Sequence, residues 1–413
     1  MELTKEEERI LEGKCGDTAR KLLEISLKVG EVNGAERMVN IVSAHSGAIS
    51  GYREGPGTFG TVCIEILEAL AEAGLKFKVP YTTDPMGMDL LDWKNMGLPE
   101  DFVNTQMRGV AAFRKLGAIP SYTCIPYLEE NVPKMGDHVT WVETGNVAIV
   151  NSYIGARSNR EVDLTALAAA ITGRIPEYGY HLKENRYGDV LIKVDTDLDY
   201  ADLGALGFYA GRTGAKVPVF DGLPKNLNIE EIQQLIAAIA QVAPIALVHI
   251  VGVTPEAPTL EEAFGGRKPK ETVTVGRKEL TEAYEALNTA KGRDVDFVSI
   301  GCHFCTIGKI RKIAELLENK RVHEGVTLWV QTSRTIRNLA ELDGDVQKIE
   351  RAGGRVYCAC TVVTSIKKYY GFKIMATDSA KNAYIAQGTP WVGMDVLYGS
   401  TEKCIDAAVT GRW

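Results

Sequence analysis

The sequence predicts an α/β protein: mostly parallel sheets with helices on both faces. Three observations predict it. From about residue 225 the chain alternates regularly between helical and strand patterns. The strands are near-continuous Val/Ile runs such as "IALVHIVGV" and "DVDFVSIG", the composition of strands buried on both sides. The helical segments carry single apolar stripes, as in Ile307, Ile310, Ile313, Leu316 and Leu317, so each covers a sheet with one face.

Element by element, Thr4 and Glu7 have capping-box spacing ahead of an amphipathic helix, so the chain is expected to begin folded rather than with a signal peptide. The first third reads as helices over 4–12, 16–30, 60–74 and 102–116, with strands near 38–44, 76–82 and 118–124. The stretch 139–222 opens with "HVTWVETGNVAIVNS" and is rich in Gly and Tyr. Helix "NIEEIQQLIAAIAQV" then leads to strand "IALVHIVGV". The polar segment 254–280 reads as an exposed excursion or hinge. Beyond it come helix 279–288, strand "DVDFVSIG", helix 306–319, strand "TLWVQT", helix 334–350, strand "RVYCACTVV" and "KIMATDSAKNAYIAQ". The expected division is an N-terminal α/β region 1–135, a middle region 136–225, and an α/β domain 226–413 carrying the cysteine motifs.

With 45% hydrophobic and 24% charged residues the composition is that of an ordinary globular protein. A net charge of −7 argues against broad binding to nucleic acid or anionic membrane. The apolar tract 235–253 is long enough to raise a membrane span, but Gln241, Pro244 and His249 interrupt it, so it reads as the end of a buried helix and a buried strand. Eight cysteines without a secretory signal point to a reducing, cytoplasmic compartment. With only six histidines and no HExxH pair, a metal site would lean on sulfur.

Ligands in open parallel sheets bind beyond the carboxyl ends of the strands. That rule selects Cys302 and Cys305 after "DFVSIG", Cys358 and Cys360 at the end of "RVYCACTVV", Cys124 at the end of "AIPSYTC", and "QTSR" with Ser333. By spacing alone, the pair in "SIGCHFCTIGKI" could be a zinc clip, a redox disulfide, inert packing or part of an iron–sulfur site. "GPGTFG" (55–60) matches GxGxxG, but a polar loop precedes it where a dinucleotide fold needs a strand, so it reads as a glycine loop capping a helix. "GARSNRE" (155–161) brings together Arg157, Asn159 and Arg160, either to hold a carboxylate or phosphate or as a solvated loop. His45 in "SAHSG" and Asp84 in "TTDPMGMD" follow strands in turn-like contexts.

Taken in order, "TCIPYL" (123–128), "GARSNRE", "TGRIPEYGYH" (172–181), "VPVFDGLP" (217–224), "SIGCHFC", "TDSAKNA" (377–383) and the closing "AAVTGRW" resemble the large subunit of aconitase X proteins, over essentially the whole chain. The resemblance implies an aconitase-like fold and an iron-dependent hydro-lyase completed by a small swivel-domain subunit. It implies metal ligands at Cys124, Cys302 and Cys360, holding a [4Fe-4S] or [2Fe-2S] cluster or mononuclear iron, with Cys305 and Cys358 as neighbours or packing. The chemistry would be loss of water from a 3-hydroxy acid, with a cation holding the carboxylate and a base at the α-proton. In aconitase relatives that base is a serine of the swivel domain. His45, Asp84 and Lys381 are then the candidate catalytic groups. Gly87, Met88, Glu143, Thr144, Arg157, Asn159, Arg160, Ser333 and Ser379 are the candidate substrate contacts.

The family's two substrates are mevalonate 5-phosphate and cis-3-hydroxy-L-proline. "TTDPMGMDLLDW" (82–93) is similar to the archaeal-type "NPxGM" turn, with Asp84 in place of Asn, and favours the first. Three departures stand out: "GCHFC" where the family has "GCPHC", "ETGN" (143–146) for "ESSA", and "CAC" for "DTC". They leave open a dehydratase of another hydroxy acid, or a non-catalytic binding or scaffold relative.

Overall fold

The computed structural model describes residues 1–47, 61–361, 366–388 and 392–413; the "GPGTFG" loop lies outside them. Fourteen strands are described. β1 (Met38–Asn40) pairs antiparallel with β5 (Arg174–Pro176). β2 (Ala44–Ser46) lies between β3 (Tyr81–Thr83) and β4 (Thr140–Trp141), both parallel to it. A third, parallel sheet has the order β8-β7-β6-β9, with β6 Val190–Val194, β7 Pro218–Asp221, β8 His249–Ile250 and β9 Glu271–Val275. A fourth, also parallel, runs β12-β11-β10-β13-β14, with β10 Phe297–Ile300, β11 Thr327–Gln331, β12 Arg355–Tyr357, β13 Ile374–Thr377 and β14 Asp395–Tyr398.

The five-stranded sheet shows why the Val/Ile runs are continuous. Phe297, Trp329, Tyr357 and Met375 enter the main core on one face. Their neighbours Val298, Leu328, Val356 and Ala376 enter a second core on the other. Successive strand residues point to opposite faces, and here both faces are dry, so apolar residues dominate and the buried polar ones, such as Ser299 and Gln331, bond each other. Helices Ile307–Leu316 and Thr401–Thr410 contribute Ile310, Ile313, Cys404 and Ala408 to that second core.

The capping box at Thr4 forms as expected, with the Glu7 N–H donating to Thr4 Oγ1 at 3.3 Å and the Thr4 N–H donating to Glu7 Oε2 at 2.7 Å. Several expectations need correction. Residues 118–124 form no strand: Tyr122 has φ 44°, although Ile119 and Thr123 still donate to carbonyls of β3. The segment 254–280 is no loose excursion, because β9 inside it joins the third sheet beside β6. The helix expected over 334–350 is two, Arg334–Leu342 and Asp345–Arg351, separated at Gly344 with φ 79°. "RVYCACTVV" is strand only to Tyr357, so its cysteines lie on the turn that follows. The tract 235–253 is divided between helix Ile229–Val242 and β8, and among the described residues no helix is long and apolar enough to cross a membrane. The cuts expected at 135 and 225 fall inside sheets, since β4 pairs with β2 and β8 and β9 pair with β7 and β6.

One glycine sets the exit from β10. Gly301 has φ 109°, and a Cβ there would stand 2.3 Å from the Gln331 carbonyl oxygen. The turn into Cys302 therefore needs glycine. Gly301→Ala is expected to destabilise the chain by at least about 1–3 kcal/mol from backbone strain alone, read as a lower urea midpoint.

Candidate active site

Two parallel sheets turn their carboxyl edges toward each other. From the three-stranded sheet come His45 in β2, Asp84 just after β3 and Glu143 just after β4. From the five-stranded sheet come Cys302 and His303 after β10, Cys360 after β12, and Ser379 and Lys381 after β13. Hydrogen bonds cross between them: the Phe304 N–H donates to Cys124 Sγ at 3.2 Å, and the Cys360 N–H donates to the Met86 carbonyl at 2.8 Å. The fold rule that ligands bind at strand carboxyl ends thus selects one place, built from two sheets.

Cys124, Cys302 and Cys360 share this place. Burial raises the Cys124 thiol well above its ordinary value; Cys302 and Cys360 nearby add to the rise, while Lys381 and the Phe304 N–H oppose it. Cys302 is pushed up to about 12, chiefly by burial, with Lys381 and Ser379 pulling down. The Ser379 hydroxyl also donates to the Cys302 carbonyl. Both shifts keep Cys124 and Cys302 protonated at neutral pH, so a bound metal must displace those protons. Cys305 and Cys358 have other surroundings: Cys305 is buried near Lys309 and Asp378, and the Cys358 N–H donates to Asp89 Oδ2 at 2.8 Å.

A buried charge cluster flanks the thiols. Lys381 Nζ donates to Glu143 Oε1 and also contacts His303 Nε2 at 3.2 Å. His303 Nε2 lies 3.5 Å from Glu143 Oε2. Burial alone would raise the Glu143 carboxyl, but Lys381 and His303 outweigh it and hold the group well below the usual carboxylate range. Burial would lower the Lys381 ammonium, but Glu143, with Cys302 and Cys124, holds it above the ordinary lysine value. Glu143 also caps helix Thr144–Ile149, accepting from the Asn146 N–H at 2.7 Å.

His45 and Asp84 form the second unit. His45 is fully buried; its Nδ1 is 2.9 Å from Thr82 Oγ1 and its Nε2 is 2.8 Å from Asp84 Oδ1 and 2.9 Å from Asn146 Nδ2. One proton serves that last junction. Either Nε2 carries it and donates to Asp84, or Asp84 carries it and Nε2 accepts from the Asn146 amide. Asp163, whose carboxyl burial pushes up, lies behind, accepting from Ser46 Oγ at 2.5 Å.

The other expected contacts divide. Gly87 lies in the turn beside Cys360, its N–H donating to Gln106 Oε1 at 3.2 Å, whereas Met88 is wholly buried in the apolar core. Thr144 hydrogen-bonds Glu143 and Gln241 at 3.1 and 3.2 Å. Arg157 and Asn159 are not at the cluster. Arg157 donates to the His181 carbonyl at 3.1 Å, and Asn159 bonds the Tyr178 carbonyl and Tyr180 N–H at 3.2 and 2.8 Å, so both anchor the 178–181 turn. Arg160 donates at 3.1 Å to the Ala240 and Ala243 carbonyls at the end of helix Ile229–Val242, with Glu143 close enough to oppose the effect of its burial. Backbone carbonyls satisfy a guanidinium as well as a ligand carboxylate does, which is why spacing could not separate the two uses. Ser333 caps helix Arg334–Leu342 and donates to Glu129. Three groups escaped the sequence reading: Asn146, Asp163 and His303. Two of them, Asn146 and His303, stand at the family departures, which was the available signal.

Comparison with known proteins fits this geometry. Models of the first, second and third domains of aconitase X match residues 1–184, 188–285 and 295–410. The chain belongs to the aconitase X family. A phosphomevalonate dehydratase large subunit of Methanocaldococcus jannaschii is 37% identical over 98% of this chain and 99% of its own length. A cis-3-hydroxy-L-proline dehydratase of Pseudomonas aeruginosa is 32% identical over 98% of this chain and 70% of its own length. The crystal structure of Thermococcus kodakaraensis aconitase X in its holo-form superposes with a TM-score of 0.87 at 34% identity, covering 99% of this chain and 100% of that one. The α/β architecture of parallel sheets and helices is thus the aconitase X fold.

Proposed function

We propose that this chain is the large subunit of an iron–sulfur-dependent hydro-lyase that removes water from a 3-hydroxy carboxylic acid, with mevalonate 5-phosphate as substrate. The observation that carries the reading is the trio Cys124, Cys302 and Cys360, half-buried together at facing sheet edges, with Lys381 acting on Cys124 and Cys302. Among the described residues, no three His, Cys, Asp or Glu side chains converge closely enough to hold a single ion. Cys302 and Cys360 are both near enough to Cys124 for their charges to raise its thiol, so the three sulfurs lie together at one place. The Phe304 N–H on Cys124 Sγ is the kind of donor that tunes a cluster thiolate. The donor set therefore fits a cluster held by Cys124, Cys302 and Cys360.

Bound there, the cluster would supply Lewis acidity at the leaving hydroxyl. The protein's own groups do the rest. Lys381, fixed by Glu143, offers an ammonium for the substrate carboxylate and the charge that builds on it as the α-proton leaves. His45, hydrogen-bonded to Asp84 at 2.8 Å, would pass a proton to the departing hydroxide. The α-carbon loses its proton, the β-carbon loses hydroxide, and a 2,3-unsaturated acid and water result. The base at the α-proton is assigned to a small subunit, which the "large subunit" names of the relatives support. Eight free cysteines suit the reducing cytoplasm.

The second reading is dehydration of cis-3-hydroxy-L-proline, favoured by Asp84, whose acidic side chain could face an amine. The test is an anaerobic assay of both acids with the reconstituted subunit pair. Turnover of mevalonate 5-phosphate supports the first reading, turnover of the proline acid the second, and no turnover of either defeats both. In the active pair, His45→Ala is expected to lower kcat by about 10²–10⁴ while leaving iron content unchanged.

A further inference from the structure

Gly145 and His303 are fitted to each other. A Cβ on Gly145 would stand 2.1 Å from His303 Nε2 and 2.2 Å from Cε1, so any other residue at 145 displaces the imidazole. The ring is enclosed, with its side chain 1% exposed. Its Nε2 is bonded to the Lys381 ammonium at 3.2 Å. An ammonium only donates, so, paired with Lys381, Nε2 accepts and the ring proton sits on Nδ1; the other tautomer would turn Nε2–H toward Glu143 Oε2 at 3.5 Å, longer than an ordinary hydrogen bond. Among the described residues that Nδ1 has no hydrogen-bond partner, although it is buried. A buried N–H without an acceptor is costly, and the ring that carries it lies against Lys381, the group to which the proposed function gives the substrate carboxylate.

We propose that His303 is a specificity-determining residue whose Nδ1–H donates to a carboxylate oxygen of the bound hydroxy acid, and that residue 145 is glycine to admit the ring. The inference rests on the dehydratase reading and deepens it: the substrate carboxylate is held by two donors side by side, the Lys381 ammonium and the His303 imidazole. The ring acts by position and tautomer and does not need to change its protonation.

The experiment uses the reconstituted subunit pair with the acid it turns over, and separates the two ring nitrogens. Asn places its amide nitrogen where Nδ1 was; Gln places its amide where Nε2 was. His303→Gln is expected to raise KM about 10–100-fold, the loss of one hydrogen bond to a charged group, with a much smaller change in kcat. His303→Asn is expected to recover most of that loss. Iron and sulfide content and the visible spectrum should match the wild type in both, showing that the ring is not a cluster ligand. Separately, Gly145→Ala is expected to lower the melting temperature of the large subunit by several degrees, and much less so in a His303→Ala background. Equal KM values for wild type, His303→Asn and His303→Gln overturn the substrate contact while the dehydratase reading stands. Loss of cluster in the His303 variants overturns it in favour of a ligand role. An equal effect of Gly145→Ala in both backgrounds overturns the fitted pair. No turnover by the wild type defeats the dehydratase reading itself, and the carboxylate contact with it.

Discussion

Lys381→Met is expected to destabilise the large subunit by about 3–5 kcal/mol and to reduce turnover by at least about 10²–10³-fold. The stability loss comes from Glu143. In the wild type its carboxylate has the ammonium in direct contact; without Lys381 it stays in a dry cluster beside His303, with only the more remote Arg160 to balance it. Adding Glu143→Gln should therefore restore much of the stability and none of the activity, which separates the structural from the chemical contribution of Lys381. The pH dependence has a definite sign. Glu143 is held low in the folded chain, so its contribution is present above the ordinary carboxylate pKa and is lost as pH falls through the lowered value. Lys381 is held high, so its contribution is complete below the ordinary lysine pKa and is lost as pH rises through the raised one. The pair therefore stabilises across the neutral range. The gap between wild type and Lys381→Met, measured by urea unfolding at a series of pH values, should narrow in acid, where protonated Glu143 no longer needs the cation.

The parts of this protein that were legible in the sequence are those set by periodicity and by chemistry with few alternatives. The run "DVDFVSIG" announced a strand dry on both faces, and Phe297 and Val298 do enter two different cores. Cys302 and Cys360 were read at the ends of strands and do follow β10 and β12, whereas Cys124 follows no strand and joins them only through the tertiary fold. Side chains whose chemistry serves two ends were not legible. Arg157 and Asn159 have the forks and amides that bind anions, yet both are used on backbone groups of the 178–181 turn, a contact made across the chain that no local pattern records. "RVYCACTVV" reads as one strand because Val and Cys suit a buried sheet, but pairing with β11 ends at Tyr357, and the cysteines lie on the turn beyond. His303 and Gly145 were visible only as departures. Their fit depends on two strand exits, β4 and β10, from different sheets meeting edge to edge, and sequence spacing carries nothing about that meeting.

Cys124, Cys302 and Cys360 carry the largest expected effect. Changing any one to serine removes a thiolate from a set of three and should abolish cluster assembly and turnover, a loss of at least about 10³-fold, while far-ultraviolet dichroism stays that of the wild type. Cys305→Ser and Cys358→Ser should not do so, since these thiols pack beside Lys309 and Asp89, away from the cluster of charges. The most direct test is the iron and acid-labile sulfide content of the large subunit after anaerobic reconstitution, measured for the wild type and all five serine variants. A brown wild type holding both elements, matched by Cys305→Ser and Cys358→Ser and lost in Cys124→Ser, Cys302→Ser and Cys360→Ser, is the predicted result. A wild type that takes up neither element, or a loss that falls equally on all five cysteines, would contradict the assignment of this site as the iron–sulfur centre of a dehydratase.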